Sequence, residues 1–486
     1  VVRIVVGVPA AAAIAGALLL AKLYHDEARL RDVVAAVRAR GEPLAWGNLA
    51  ARALPPEQDA ARHHRQAVRL HRQAFAIDAS GRADRSRPRT AELVDLLRDT
   101  VVIHPGLRAR RAADVAEILA RSKEALPHCR RARACAGADW GLDAAAPTFR
   151  WAPPDLRELS DLANVLCLAG LAANERGEKL EALEHLRDAM ALARSVESMP
   201  LLAAFQTADD ARHTVCAAVE EMAPSLSRPP LDAEARRAVR GLIGDLLRAD
   251  QFDRAILGER SVTYELAERA RTGELSLTAL PRWPQGRSSM VAIRRLRLGV
   301  FLPRFLAAEE AELLEKMAGD VEAARAGSFP AASEARRTLP EARFANASFS
   351  LLVLLLPHMN RAFKVRFRNL AGRRMAAAAL AMGLWELDRG RRPATLGELV
   401  PEYLPAVPAD PFAAEGEPIR YFAARDRPRL YSVFKNGRDD AGGFFVGSRG
   451  YLDLVDSPDL VFFLNGDRPV PRMAARPRSG PAGGPL

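Results

Sequence analysis

Between Ala91 and about Ala345 apolar residues recur every three or four positions. The period is interrupted only at Gly137–Pro154, Pro224–Pro230, Thr272–Ser289 and Gly327–Pro340. A stretch so long and so periodic can bury its apolar stripes only by packing helix on helix, so residues 91–345 read as a helical array. Residues 24–78 read as a preceding helical segment, with turns at Gly41-Glu-Pro43 and Pro55-Pro56, and the polar stretch 79–90 as a linker. A 49% hydrophobic share beside a 27% charged one supplies core material and excludes wholesale disorder, a collagen or a polytopic membrane protein. Four cysteines in 486 residues are too few for a disulfide scaffold.

Gly170, Gly177, Ala182 and Ala189 have the spacing of small residues in a tetratricopeptide-like hairpin, with Leu166 and Leu186 at its large apolar positions. No second copy follows, and an ordinary antiparallel helix pair fits as well. Leu351–Leu356 is too short to cross a membrane and reads as buried helix or docking surface. A long helix is expected from His358 to Asp388, with Met375, Ala379, Met382, Leu380, Leu384 and Leu387 forming a broad apolar face. After Pro393 the pattern changes. Residues 419–422, 430–434, 443–446 and 459–464 are short, aromatic or β-branched, and separated by turn signals, as antiparallel strands are. Residues 346–466 thus read as a long helix plus a small α+β unit, and 467–486 as a disordered Pro/Gly/Arg-rich tail.

The N-terminus sets a further expectation. Ile4–Ala21 carries no charge and would span about 27 Å at 1.5 Å per residue, near the thickness of a bilayer core. Residues 1–23 are therefore read as a single transmembrane anchor, with contact to the membrane through 4–21 and location in a bacterial inner membrane. A cleaved signal peptide and a buried core helix are the alternatives. Arg3 alone precedes the run, while Lys22, Arg29, Arg31, Arg38 and Arg40 follow it, which by charge counting puts the bulk in the cytoplasm. Positive charge upstream of Val1 would reverse that orientation, and the bulk is expected outside the cytoplasm.

The net charge is +11, but only six of the 71 basic residues are lysines. That skew reads as a compositional bias, and nucleic acid is not the expected partner. One basic stretch stands out. Arg361, Lys364, Arg366, Arg368, Arg373 and Arg374 lie on the expected long helix with no acid between them, while Phe363, Phe367 and Leu370 share a face. A basic amphipathic helix of this kind suits an anionic surface; the alternative is a helix packed by its Phe face with the arginines in water.

Cys129 and Cys135 lie among arginines and are candidates for a small disulfide loop or for an acidified thiol, whereas Cys167 and Cys216 read as buried hydrophobes. His63, His64 and His71 fall in one helical segment and read as a solvated basic face. No Walker A loop, G-x-G turn, H-E-x-x-H or G-x-S-x-G occurs.

The segments Asp388–Leu399, Asp410-Pro-Phe412, Ile419-Arg-Tyr421, Leu430-Tyr-Ser432, Asn436–Asp440 and Asp459-Leu-Val461 resemble the globular head of type II secretion major pseudopilins. The resemblance covers roughly the last quarter of the chain. It implies a long helix on a small antiparallel sheet, and a C-terminal loop that can hold calcium. Asp439, Asp440, Asp459 and the Asn436 amide are the corresponding oxygen donors, as a hard ion requires. Arg392 and Phe434-Lys435 depart from the family's usual residues, and its N-terminal processing motif is absent, which argues against a fibre subunit. The whole chain also resembles a group of bacterial membrane-anchored helical proteins with the same head, through Gly41-Glu-Pro43, Asp139–Leu142, the hairpin at 158–195, Leu257–Arg260 and Pro393–Phe412. The expected function is that of a membrane-anchored scaffold of the bacterial envelope, in contact with other envelope proteins and linked to secretion or envelope assembly. An envelope hydrolase with a carboxylate site in the helical region is the alternative.

Overall fold

The computed structural model describes residues 2–49, 54–98, 105–142, 155–274, 302–337, 359–414, 416–423, 427–446, 457–466 and 468–469; the side chains of 2–13, 15 and 302–305 lie outside that description. The described residues are mainly helical. Their helices are α1 (Val2–Ala39), α2 (Ala60–Phe75), α3 (Pro88–Arg98), α4 (Pro105–Arg110), α5 (Ala112–Ser122), α6 (Leu126–Arg133), α7 (Leu156–Glu175), α8 (Lys179–Glu197), α9 (Leu202–Leu226), α10 (Ala233–Leu247), α11 (Phe252–Thr272), α12 (Leu302–Arg325), α13 (Phe329–Arg337) and α14 (Met359–Arg389). One antiparallel sheet joins β1 (Arg420–Phe422), β2 (Arg429–Ser432) and β3 (Leu460–Phe463) in that order, with Tyr421 opposite Leu430 and Leu430 opposite Phe462.

The centre of the array is the hairpin of α7 and α8. Gly177 turns it at φ +82°, a conformation that costs glycine little. A methyl at Gly170 would stand 3.1 Å from the Ala182 carbonyl and 3.2 Å from Leu186, so the missing side chain lets the two helices approach. Leu166, Ala182, Leu186 and Ala189 are fully buried there.

The segment Leu257–Arg260 shows how one short sequence joins three elements. A methyl at Gly258 would fall on the Pro200 carbonyl. Glu259 accepts the first N–H of α9 at 2.9 Å, supplying the cap that Leu201 lacks. Arg260 donates to Glu42 at 2.7 Å and to the Pro43 carbonyl at 3.0 Å.

Helix α1 corrects the anchor expectation. It continues past Lys22 to Ala39, and Leu23, Leu30 and Val37, at steps of seven, are buried. Leu30 and Val37 pack with Ala307, Ala311 and Leu314 of α12, and Arg29 donates to Glu315 at 3.2 Å beside that seam. Among the described residues no helix is long and apolar enough to cross a membrane. The single-pass inner-membrane location assigned from residues 4–21 is therefore not supported. Before the seam, Ile14, Leu18, Leu20 and Tyr24 are exposed.

Two histidines are also corrected. His64 and His71, expected in solvent, are fully buried, because they share the face of α2 that carries Ala60, Ala67, Val68 and Phe75. His64 stacks on Trp140 at 6.3 Å, and His71 lies 3.4 Å from Asp161 and 4.8 Å from the Phe75 ring. Burial, then His63, pushes His64 down to about 3, so it is neutral at neutral pH.

Other boundaries shift less. Pro224 lies inside the last turn of α9, and α13 occupies part of the expected break at 327–340. The stretch 79–90 is built of turns in which Asp78 and Asp84 accept the Ser80 and Ser86 amides, followed by the start of α3. Three of the four expected strands form. Residues 443–446 do not: Gly443 donates to the Asp440 carbonyl and accepts from Asp459 N–H instead of joining a ladder. Leu351–Leu356 and the tail beyond 469 lie outside the described residues.

Helix α14 belongs to both halves of the molecule. It packs on α9 and α10 of the array, and also on β2 and β3. Phe412 completes the junction, 5.2 Å from both Phe329 and Phe434 and 6.5 Å from Phe367. Ring contacts of this kind are worth about 0.5–1.5 kcal/mol each beyond area burial.

Candidate functional site

A shallow cleft of about 40 Å³ opens where α9, α14 and β3 meet. Helix α9 presents His213, Cys216 and Glu220, at steps of three and four that place them on one face. Helix α14 presents Arg368, Gly372 and Met375 at the same helical steps, and Val461 of β3 closes the wall. Gly372 matters because a methyl there would meet nothing within 4 Å. The space above it is part of the opening.

Glu220 is the fastener. It is 2% exposed, accepts the outward N–H of Phe463 on edge strand β3 at 2.8 Å, and takes Arg468 through Nε at 2.9 Å and Nη2 at 2.6 Å. A buried carboxylate is thus met by two kinds of donor, which satisfies an edge N–H that would otherwise be costly.

The remaining polar groups of the cleft are not so engaged. Arg368 touches only Asn369 Oδ1, at 3.3 Å, and has no ion pair within 4 Å among the described residues. Burial lowers its pKa, partly offset by Asp209 and Asp210. Burial, then Arg368 and Arg468, pushes His213 down to about 3. Burial, offset in part by Arg373, pushes the Cys216 thiol up to about 12. The site at neutral pH therefore holds a neutral imidazole, a protonated thiol and one guanidinium that feels Asp209 and Asp210 at a distance without pairing with either. A protonated thiol beside a neutral imidazole is a poor nucleophile pair, so the arrangement suits binding rather than covalent chemistry.

Behind the cleft lies an ionic centre. Asp250 receives Arg366 at 3.1 Å and Arg373 at 3.3 Å, Asn369 donates to Asp209 at 2.7 Å, and Arg212 pairs with Glu197. Burial pushes Asp209 up to about 7 despite Arg373. Burial also raises Asp250, but Arg366 and Arg373 outweigh it and hold the carboxyl low.

These contacts disperse the basic stretch expected to form one face. Arg361 and Lys364 are exposed; Arg366 and Arg373, seven apart, turn to Asp250; Arg374 donates to the Ala409 carbonyl at 2.8 Å; Arg368 enters the cleft. The helix is covered on more than its Phe face, so most of the arginines find partners inside the protein.

The four expected calcium donors are also placed apart in role. Asp439 is held by Arg420 at 3.0 Å and by the Tyr431 hydroxyl at 3.0 Å. Asn436 donates to Asp440 at 2.7 Å while its own oxygen accepts the Arg438 amide. Asp459 is buried and accepts the Gly442 and Gly443 amides through Oδ2, leaving Oδ1 without a hydrogen-bond partner. Among the described residues no three His, Cys, Asp or Glu side chains come together to hold a metal ion.

All four cysteines are free. Burial raises the Cys135 thiol and pushes Cys129 up to about 12. The nearby arginines serve α8 instead: Arg133 reaches Asp188 at 3.1 Å and Arg130 reaches Glu181 at 3.1 Å. Neither an acidified thiol nor a Cys129–Cys135 bridge is present.

Reading the chain alone missed the cleft. The signal was His213, Cys216 and Glu220 on one face of an otherwise apolar helix, but their counterparts on α14 lie more than a hundred residues away. No known protein family, curated protein or solved structure matches the chain.

Proposed function

We propose that the chain is an interaction scaffold, a helical array that carries a small α+β unit in a fixed orientation and offers apolar contact patches to protein partners. The observation that carries this reading is the distribution of exposed large apolar side chains. Among the described residues they fall in two places, between Ile14 and Tyr24 on α1 and at Phe445–Val446 before β3. Exposed apolar clusters of this kind mark interaction sites more often than scattered single residues do. The shared helix α14 supports the fixed orientation.

On the same footing, the α7/α8 hairpin is read as tetratricopeptide-like, supported by the close approach at Gly170. The C-terminal unit is read as pseudopilin-like, supported by a long helix packed on a three-stranded antiparallel sheet. That likeness makes proteins of a secretion or envelope assembly the partners.

The test is site-specific photocrosslinking in producing cells, with a photoreactive phenylalanine analogue at Phe445, at Leu18 or, as an exposed polar control, at Glu124. The expected result is a discrete protein adduct from Phe445 or Leu18 and none from Glu124. No adduct at either patch, or the same ladder from all three positions, overturns the scaffold reading.

A further inference from the structure

We infer that Lys179 is a reactive amine that captures small aldehydes as an imine in the groove between the starts of α8 and α10. The groove holds about 390 Å³ and lies open to solvent, with residues 177–181 on one side and residues 230–232 and Ala235 on the other. Lys179 is the one lysine of its lining, in a chain that has only six. The amine is placed by two carbonyls and no acid. Nζ donates to the Arg228 carbonyl at 2.5 Å and to the Pro230 carbonyl at 3.3 Å, and it makes no ion pair among the described residues. The carboxylates that share the groove are engaged elsewhere. Glu178 pairs with Arg176 at 2.6 Å, Glu181 with Arg130 at 3.1 Å and His185 at 3.2 Å, and Asp232 accepts the Ala235 amide at 2.7 Å.

An ammonium brings three N–H donors, of which two meet an acceptor here. A neutral amine brings two, which match the two carbonyls and leave its lone pair for the groove. The surroundings favour that neutral form. Burial, then Arg228, lowers the Lys179 pKa, and no carboxylate offsets them. Lys179 is also the first residue of α8, where the helix dipole is positive and no side chain caps the turn. An amine disfavoured as an ammonium is the kind that serves as a nucleophile near neutral pH. The step needs no further reagent. The Nζ lone pair attacks the carbonyl carbon, one N–H proton passes to the aldehyde oxygen, and the second leaves with that oxygen as water, so a C=N bond replaces C=O. The imine nitrogen has fewer N–H groups than the amine. Capture therefore frees the 227–232 loop from at least one of its two bonds to Lys179, a role separate from the exposed patches of the scaffold reading.

The test is reductive labelling of the full chain with limiting propanal and cyanoborohydride between about pH 6 and pH 11, read by peptide mass mapping. Lys123 and Lys364, both exposed, are the internal references. Lys179 is expected to reach half its maximal labelling rate about one pH unit or more below the references, and to label about tenfold faster than they do at neutral pH. Arg228→Glu keeps the backbone acceptor but sets a carboxylate where a cation stood, so it should move the Lys179 midpoint upward and leave the references unchanged. A Lys179 midpoint equal to those of the references, or no labelling of Lys179, overturns the inference and makes the amine a charged clamp on the loop. So does an Arg228→Glu midpoint that stays where it was.

Discussion

The array and the C-terminal unit bury carboxylates in opposite ways. In the array, Asp250 is neutralised by two guanidiniums, Arg366 and Arg373, both on α14. Asp188, Glu310 and Asp320 are likewise met by arginines, from α6, α11 and α13. In the C-terminal unit, Asp410 is held mainly by short neutral donors, the Ser432 hydroxyl at 2.6 Å and the Phe412 and Val433 amides at 2.9 Å. Asp459 is held by the Gly442 and Gly443 amides alone. The difference follows from geometry. Within a helix the N–H groups are already satisfied, so side chains meet most of the buried charges there, whereas helix starts, turns and sheet edges expose backbone amides that a carboxylate can collect.

The largest effect should come from breaking the guanidinium pattern. Asp250→Ala leaves Arg366 and Arg373 buried without their counter-charge, so a loss of about 3–5 kcal/mol is expected in denaturant titration. A loss under about 1 kcal/mol would show that water or Asp209 replaces the pair, and the contrast between the halves would fail.

Next is the backbone pattern. Asp410→Ala strands one hydroxyl and two amides and should cost about 2–4 kcal/mol, while Arg420→Gln should cost under about 1 kcal/mol, because Arg420 sits 3.6 Å away and is partly exposed. Equal losses in the two variants would mean that Asp410 too is neutralised by a guanidinium.

The smallest effect is one of sign. Burial, against the two glycine amides and reinforced by Asp440 and Asp439, pushes Asp459 up to about 6. A carboxyl with a raised folded pKa binds more protons folded than unfolded between about pH 4 and 6, so its contribution to stability falls as pH rises through that window. Asp250 behaves oppositely, since its carboxyl is held low and its contribution is lost on acidification. Melting curves of Asp459→Asn should show a smaller loss of stability between pH 5 and pH 7 than the parent, and calcium should shift neither protein. A calcium-dependent rise in Tm in the parent alone would make this loop a metal site and sharpen the contrast in an unexpected direction.

Much of the fold was legible before any coordinates. The helix expected from His358 to Asp388 is α14, displaced by one residue at each end. The α7/α8 hairpin announced itself through Gly170, Gly177 and Ala182, because close helix approach and a left-handed turn each demand a particular small residue. The misreadings share a cause. His64 and His71 carried the right spacing for a buried face, but polar side chains were assigned to solvent by type. Residues 4–21 taken alone are an apolar run, although the steps at Leu30 and Val37 continue the helix into a protein-packed seam. The candidate cleft was not legible at all, since its two helices carry complementary halves that neither segment reveals alone.

Local spacing thus decided which elements form and which face of each turns inward, because helix and strand periods are properties of a few consecutive residues. The partners of the charges were decided only by the tertiary structure. Arg366 and Asp250 are 116 residues apart, and Arg468 and Glu220 are 248 apart. A guanidinium carries the same charge wherever it stands in the chain, so nothing in its neighbours specifies the carboxylate it meets. Only the packing of α9, α14 and β3 against one another leaves Arg368 facing an open cleft while Arg366 and Arg373 turn inward.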